Sequence, residues 1–197
     1  LTARIRQLFD VELPLEFLFA HPTVAGLAQE VEKLQGSAPS LPAPTPLPAD
    51  ATPVLSFAQE RMWFLQQLQP QLPLYNMPRA VELSGPVDPE LLDSALRQLL
   101  ARHRSLRSSF PSRSGLPRLT FHDVPARVLT VEELAGSQDD TLLFQRLQEV
   151  LRGPLDLAHG PLYRFHLFRL SPHRHVLLVV LHHLLFDGWS FNLLMRD

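Results

Sequence analysis

The sequence contains no cysteine. That absence excludes a disulfide scaffold, a zinc–thiolate site and a cysteine nucleophile, and is compatible with a cytoplasmic location. Charge of one sign is scarce as well: 18 Lys and Arg against 20 Asp and Glu give a formal net charge of -2, with no basic cluster. A phosphate backbone would require such a cluster, so nucleic acid is not an expected partner. Arg4 and Arg6, a helical turn from Asp10, read as a solvated face. Long hydrophobic runs are missing too. The longest, residues 176–181, falls far short of the roughly 18 residues of a membrane span. No signal-peptide pattern is present, and no membrane association is expected. No Gly-x-Ser-x-Gly elbow and no Gly-rich phosphate loop occurs, which argues against a serine–histidine nucleophilic pair and against nucleotide binding.

What is present suffices for a core, since apolar residues make up 45% and charged residues 19%, outside the range of disordered chains. Residues 1–35 read as a small helical unit. Ile5, Leu8 and Phe9 lie at helical spacing, and Leu13-Pro14-Leu15 interrupts them. A short apolar piece around Phe17-Leu18-Phe19 follows, and Pro22-Thr23 opens a helix with Val24, Leu27, Ala28, Val31 and Leu34 on one face. So short a unit buries too little to stand alone, and is expected to be the back half of a bundle. With no initiator Met, and with both ends inside apolar helical patterns, both ends are expected to be cuts. Residues 36–53 hold six prolines among Ala, Ser and Thr. That composition makes an extended spacer of up to about 3 Å per residue, not a core.

A new domain is expected from Val54. Phe57, Phe64, Leu65 and Leu68, with Arg61, Met62 and Trp63 between them, predict a helix through Gln67. Residues 77–83 predict a strand ended by Gly85-Pro86, and Asp88-Pro89-Glu90 a strong helix start. Leu92, Ala95, Leu96, Leu99 and Leu100 supply the buried face of that helix. Residues 116–122 predict a strand. Asp139 or Asp140 is the expected cap of a helix reaching Leu151, closed by Gly153-Pro154. Residues 163–170 and 176–181 predict two further strands, the second apolar throughout and so covered on both faces. Ser190 is the expected cap of a last helix carrying Phe191, Leu194 and Met195. Alternating helices and strands point to a layered α/β or α+β domain.

The sharpest chemical signal is His182-His183-x-x-x-Asp187-Gly188. It lies between a buried strand and a helix, where rigid elements hold a short loop. A histidine with a fixed tautomer takes up a proton near neutral pH. Two histidines beside an apolar strand also occur for packing alone, and the pattern by itself leaves both readings open. Adjacent strand residues face opposite ways and no third ligand is evident, so no metal is expected.

Three segments, Leu55-Ser-Phe-Ala-Gln-Glu-Arg-Met-Trp-Phe-Leu65, Arg102-His-Arg-Ser-Leu-Arg-Ser-Ser-Phe110 and His182-His-Leu-Leu-Phe-Asp-Gly-Trp-Ser190, resemble in order and spacing the first signature motifs of nonribosomal peptide synthetase condensation domains. Gly153-Pro-Leu-Asp-Leu-Ala-His-Gly-Pro-Leu162 is similar to another stretch of that family. The resemblance covers roughly 54–197. Phe9-Asp-Val-Glu-Leu-Pro-Leu15 and Leu18-Phe-Ala-His-Pro-Thr-Val-Ala-Gly-Leu-Ala28 resemble the C-terminal end of a peptidyl carrier domain.

The resemblance implies three parts: residues 1–35, the last helices of a carrier four-helix bundle; residues 36–53, an interdomain linker; and residues 54–197, the truncated N-terminal lobe of a chloramphenicol-acetyltransferase-like α/β fold. It implies His183 as the catalytic histidine, projecting into a tunnel between two lobes. Gly188 is implied to permit a tight turn and offer its N–H to an oxyanion. His182, Asp187 (paired with an arginine), Arg61 and Trp189 are implied as motif and structural support, with Arg61 acting on the site directly or through packing. Phe186 departs from the small residue usual there, and would either narrow the channel or pack under the loop. The 4'-phosphopantetheine arm is expected on carrier domains, on a serine upstream of Leu1. Expected partners are upstream and downstream carrier domains, an adenylation domain and the second condensation lobe.

The implied reaction is attack of a carrier-bound aminoacyl amine on an upstream acyl or peptidyl thioester. Without its second lobe the chain alone is expected to be inactive. The intact histidine pair speaks against a heterocyclising member, and the first motif resembles a condensing member more than an epimerising one. An epimerising or dual epimerising-condensing domain and a non-catalytic docking fragment are the alternatives.

Overall fold

The computed structural model describes residues 1–35, 45–46, 48, 53–134 and 140–197. Most of the expected linker therefore lies outside the described residues. The chain divides into two compact units, Leu1–Ala51 and Thr52–Asp197. Among the described residues no helix is long and apolar enough to cross a membrane.

In the first unit, three short helices enclose only a few side chains. Helix α1 (Thr2–Phe9) ends where Asp10 adopts a left-handed conformation and returns its N–H to Arg6 O. Val11 and Leu13 on the following segment are buried. Helix α2 (Leu15–Ala20) starts after Pro14, and α3 (Val24–Leu34) starts where the Thr23 hydroxyl accepts from Gly26 N–H. The expected apolar face of α3 is narrower than its spacing implied. Val31 is buried and Leu27 and Leu34 partly so, but Val24 is 88% exposed and Ala28 is exposed. Leu8 and Phe9 of α1 are exposed too. Among the described residues, three short helices cover one contact line and offer these side chains no second layer.

The second unit is built around a strand with apolar side chains on both faces. Helix α4 (Phe57–Leu68) opens with a reciprocal cap between Ser56 and Gln59. Strand β1 (Asn76–Ser84) leads to α5 (Pro89–Arg102), where Asp88 accepts from Glu90 and Leu91 N–H as expected. Short pairings follow: β2 (Ser108–Ser109), β3 (Ser112–Arg113), β4 (Leu116–Pro117) and β5 (Thr120–Phe121). Then come β6 (Leu129–Glu133), α6 (Asp140–Arg152), β7 (Tyr163–Ser171), β8 (Arg174–His182) and α7 (Gly188–Arg196).

The main sheet runs β1-β8-β7-β6, with β8 antiparallel to both neighbours and β6 parallel to β7. A parallel pair needs a long crossover, which α6 provides. Val176, Leu178 and Val180 of β8 join Phe168 and Leu170 of β7 in a core with Trp63 of α4 and Leu143 of α6. Val179 and Leu181, with Phe165 and Leu167, face the other way, onto Leu96 and Leu100 of α5, with Phe191 and Leu194 of α7 against them. The result is helix, sheet, helix, which accounts for the unbroken apolar run in β8.

Three local expectations change. Residues 116–122 do not form one strand: Leu116–Pro117 pairs with Ser112–Arg113, and Thr120–Phe121 with Ser108–Ser109. Pro117 has no N–H to extend a ladder. Strand β6, unmarked by a strong pattern, is exposed at Thr130 and Val131 and lies at the sheet edge. Of the two candidate caps for α6, Asp139 lies outside the described residues, and Asp140 is the first helical residue, paired with Arg174 at 3.0 Å.

One buried carboxylate ties the second helix layer to the sheet. Asp93 of α5, only 5% exposed, accepts from Val128 and Leu129 N–H, each at 2.9 Å, and from Arg97 Nε at 2.9 Å. Burial pushes its carboxyl up, but the two amides and Arg97 outweigh that and hold it below the usual range. Its stabilisation is therefore complete above the unfolded value near pH 4 and is lost as pH falls through the folded value. Asp93→Ala is expected to cost about 3 kcal/mol in urea denaturation at neutral pH. Asp93→Asn should cost clearly less, because one amide oxygen can still accept both N–H groups.

Candidate active site

The site begins where β8 runs out. His182 is its last residue, opposite Asn76 of β1. Its N–H donates to Leu162 O at 3.0 Å, the N–H of His183 donates to Tyr75 O at 2.9 Å, and Leu185 N–H closes a turn onto His182 O at 2.9 Å. The two side chains part at that point. His182 is 1% exposed, while the neighbouring ring of His183 reaches solvent.

His182 Nδ1 accepts from Leu184 N–H at 3.1 Å, so in the neutral ring the proton sits on Nε2, which has no partner among the described residues. The Tyr75 ring lies 6.1 Å away, tilted by 52°. Burial, helped by the adjacent His183, pushes the His182 pKa down to about 4. This imidazole is a neutral structural acceptor that shapes the turn.

His183 has the opposite tautomer. Its Nδ1 lies 2.7 Å from Phe186 O. A carbonyl only accepts, so Nδ1 carries the hydrogen and Nε2 presents a lone pair. Phe186 is buried under the turn at 6% exposure, with its ring edge-on to Phe191 at 6.1 Å. Of the two readings of Phe186, packing under the loop is the one the structure adopts.

Asp187, not Ser190, is the N-cap of α7. Its Oδ1 accepts from Ser190 N–H at 2.8 Å and from the Ser190 hydroxyl at 2.6 Å. These bonds, the hydroxyl first, hold its carboxyl below the usual range. No arginine pairs with it among the described residues. Gly188 is the first helical residue. Its φ is not in the left-handed region, and an added Cβ would meet nothing within 4 Å. The expected tight-turn role is thus not the reason for glycine here. Its N–H finds no acceptor among the described residues. Trp189 is 81% exposed. Arg61 is exposed and makes neither hydrogen bond nor ion pair among the described residues. The arrangement is an exposed imidazole lone pair on a held loop, followed by an unengaged helix N–H.

Four separated segments hold that loop in a closed circuit of hydrogen bonds. Gln59 Nε2 donates to Leu184 O at 3.1 Å, and Trp63 Nε1 to Phe110 O at 2.9 Å. Phe110 N–H reaches Leu157 O at 2.6 Å, and Leu162 O accepts from His182. These are the four motif segments, each bonded to the next. Arg164 Nη1 and Asn76 Nδ2 both donate to Gly153 O, at 2.7 and 3.2 Å. A Cβ on Gly153 would sit 3.1 Å from the Arg164 guanidinium, so any larger residue here would press on that side chain. Gln59 and Tyr75 went unnoticed in the sequence. The Ser-x-x-Gln spacing signals the cap, but nothing local signals a bond 125 positions away.

The condensation-domain family model matches residues 50–197, about three quarters of the chain. The chain belongs to the condensation-domain family. A phosphopantetheine attachment site model matches residues 1–31. The chain is 41% identical over 202 residues to the dimodular nonribosomal peptide synthase of Bacillus subtilis strain 168, covering 100% of this chain and 8% of that protein. It is 38% identical over 200 residues to one of the linear gramicidin synthase proteins of Brevibacillus parabrevis, covering 99% of this chain and 3% of that one. Among solved structures, it is similar to the starter condensation domain of rhizomide synthetase RzmA, with TM-score 0.67, 28% identity, and coverage of 75% of this chain and 37% of that one. The first condensation domain of the calcium-dependent antibiotic synthetase gives TM-score 0.65, 29% identity and 74% and 35% coverage. The chain thus spans a small share of its curated relatives and about a third of the solved chains.

The condensation-domain lobe is the chloramphenicol-acetyltransferase-like α/β fold that the motifs implied, and the chain's first residues match the phosphopantetheine attachment site model. Residues 1–31 contain no serine, and their only hydroxyls are Thr2 and Thr23, the latter engaged as the cap of α3. These residues therefore do not fit as an attachment point for the arm.

Because His182 is neutral when folded and titrates near 6.5 when unfolded, the unfolded chain binds more protons between about pH 6.5 and 4. Stability falls across that window, by on the order of 3 kcal/mol from this ring. His182→Asn keeps an acceptor for Leu184 N–H and does not titrate. Its urea midpoint should fall less on acidification than that of the wild type; equal slopes would contradict the assignment.

Proposed function

We propose that the parent protein joins two carrier-borne groups: the amine of a downstream aminoacyl thioester attacks the carbonyl of an upstream acyl or peptidyl thioester. A C–N bond forms, the C–S bond breaks, and the proton lost by the amine ends on the departing pantetheine thiolate. An α-amine titrates near 8, so the reaction needs orientation more than a strong base.

The observation that carries this reading is the tautomer of His183. With Nδ1–H held on Phe186 O, Nε2 is left as an acceptor on an exposed side chain. In the proposal it accepts a hydrogen bond from the attacking amine, steadies the cation formed on attack, and passes the proton on as the intermediate collapses. Gly188 serves by leaving room, and its unengaged N–H is the proposed donor to the oxyanion. Asp187 and His182 act on the loop, Trp189 stands exposed beside it, and Arg61 is read as motif support from helix α4.

The proposed partners are upstream and downstream peptidyl carriers, an adjacent adenylation domain and the second condensation lobe. Residues 1–35 are read as the end of the upstream carrier and residues 36–53 as the spacer. His183 and Trp189 are exposed on this lobe, which supports a tunnel whose other wall is the second lobe, and inactivity of this chain by itself.

The test uses the intact synthetase, its carriers loaded from an amino-acid mixture by its own adenylation domains and read by intact-protein mass spectrometry. Condensed product is expected on the downstream carrier of the wild type, and at least a hundredfold less with His183→Ala. Equal product from both would remove His183 from the chemistry. No product from a folded, loaded wild type would overturn the condensing reading.

A further inference from the structure

We infer that Gln59 is a positioning residue for His183, linking the start of helix α4 to the histidine loop; this rests on the role proposed for His183 above. Among the described residues Gln59 is the one side chain from outside residues 182–190 that hydrogen-bonds the backbone of loop 183–187. Its amide is used at both ends. Oε1 accepts from Ser56 N–H at 3.0 Å, which fixes the amide orientation, and Nε2 then faces Leu184 O at 3.1 Å.

The carbonyl it grips lies, along the chain, between His183 and the Phe186 carbonyl that sets its ring. The His183 ring is set by one bond, Nδ1–H to Phe186 O, which depends on the path of residues 184–186. Inside the loop, that path is held by Leu184 N–H on His182 and by Leu185 N–H on His182 O. Among the described residues the outward carbonyl of Leu184 is held by Gln59 alone. Leu184 C=O and Leu185 N–H share one peptide plane, so without Gln59 that plane keeps only its tether to His182 O and can tilt about it, and tilting moves the acceptor that keeps Nε2 unprotonated. The Ser56–Gln59 pair therefore has two separable jobs. Gln59 N–H on the Ser56 hydroxyl caps α4, and Gln59 Nε2 on Leu184 O aims the imidazole.

Gln59→Glu separates them. A carboxylate in the same place still accepts from Ser56 N–H, but has no donor for Leu184 O. In the intact synthetase, Gln59→Glu is expected to lower the condensation kcat by roughly tenfold or more, with the KM for the loaded downstream carrier unchanged and a thermal midpoint lowered no more than that of Ser56→Ala. Ser56→Ala removes the hydroxyl cap and leaves the loop bond, so it should lower the thermal midpoint and leave kcat unchanged. If Gln59→Glu turns over like wild type while His183→Ala is inactive, the positioning role is wrong and the histidine role stands. If Ser56→Ala loses kcat as much as Gln59→Glu, or both lose it only in step with their midpoints, Gln59 is a helix cap and no more. If His183→Ala retains full activity, the histidine reading fails and the inference falls with it.

Discussion

Strand β8 must bury both of its faces and then stop, and the rest of the second unit follows from that. Burying Val176, Leu178 and Val180 on one side and Val179 and Leu181 on the other requires a helix layer on each face and a strand on each edge. At its end the alternation continues for one more residue, which places His182 in the core, and is then broken by the turn that carries His183 out. The loss of solvation that holds His182 neutral is thus the same constraint that anchors the loop.

A short loop at a strand end is still free to move unless its backbone groups are engaged. Here the engagement comes from residues far apart in the chain: Tyr75 O, Leu162 O and the Gln59 amide each take or give one bond. Each such bond contributes about 1 kcal/mol net, a modest amount for stability. Their geometric effect is larger, because they fix where a single imidazole nitrogen points. Trp63 and Phe110 extend the same circuit into the core, so the motif residues act less as separate catalysts than as the walls that hold one catalyst.

Much of this was legible in the sequence. The apolar run of residues 176–181 announced a doubly covered strand, Asp88-Pro89-Glu90 a helix start, and the order of four motifs the family and its lobe. The errors have physical causes. Asp187 displaced Ser190 as the cap because its carboxylate reaches both the N–H and the hydroxyl of Ser190, a choice spacing does not decide. Strand β6 was missed because edge position, not pattern, makes it a strand. Residues 116–122 looked like one strand because periodicity does not register the missing N–H of Pro117. The tautomer of His183 was beyond reach, since it depends on where the Phe186 carbonyl points.

That tautomer is the claim on which the proposed chemistry stands. A nitrogen-15 NMR spectrum of the complete condensation domain, selectively labelled at histidine and assigned with His183→Ala, reads it directly at neutral pH. The account predicts a His183 ring protonated at Nδ1 with a bare Nε2. A ring protonated at Nε2, with Nδ1 bare, would contradict it.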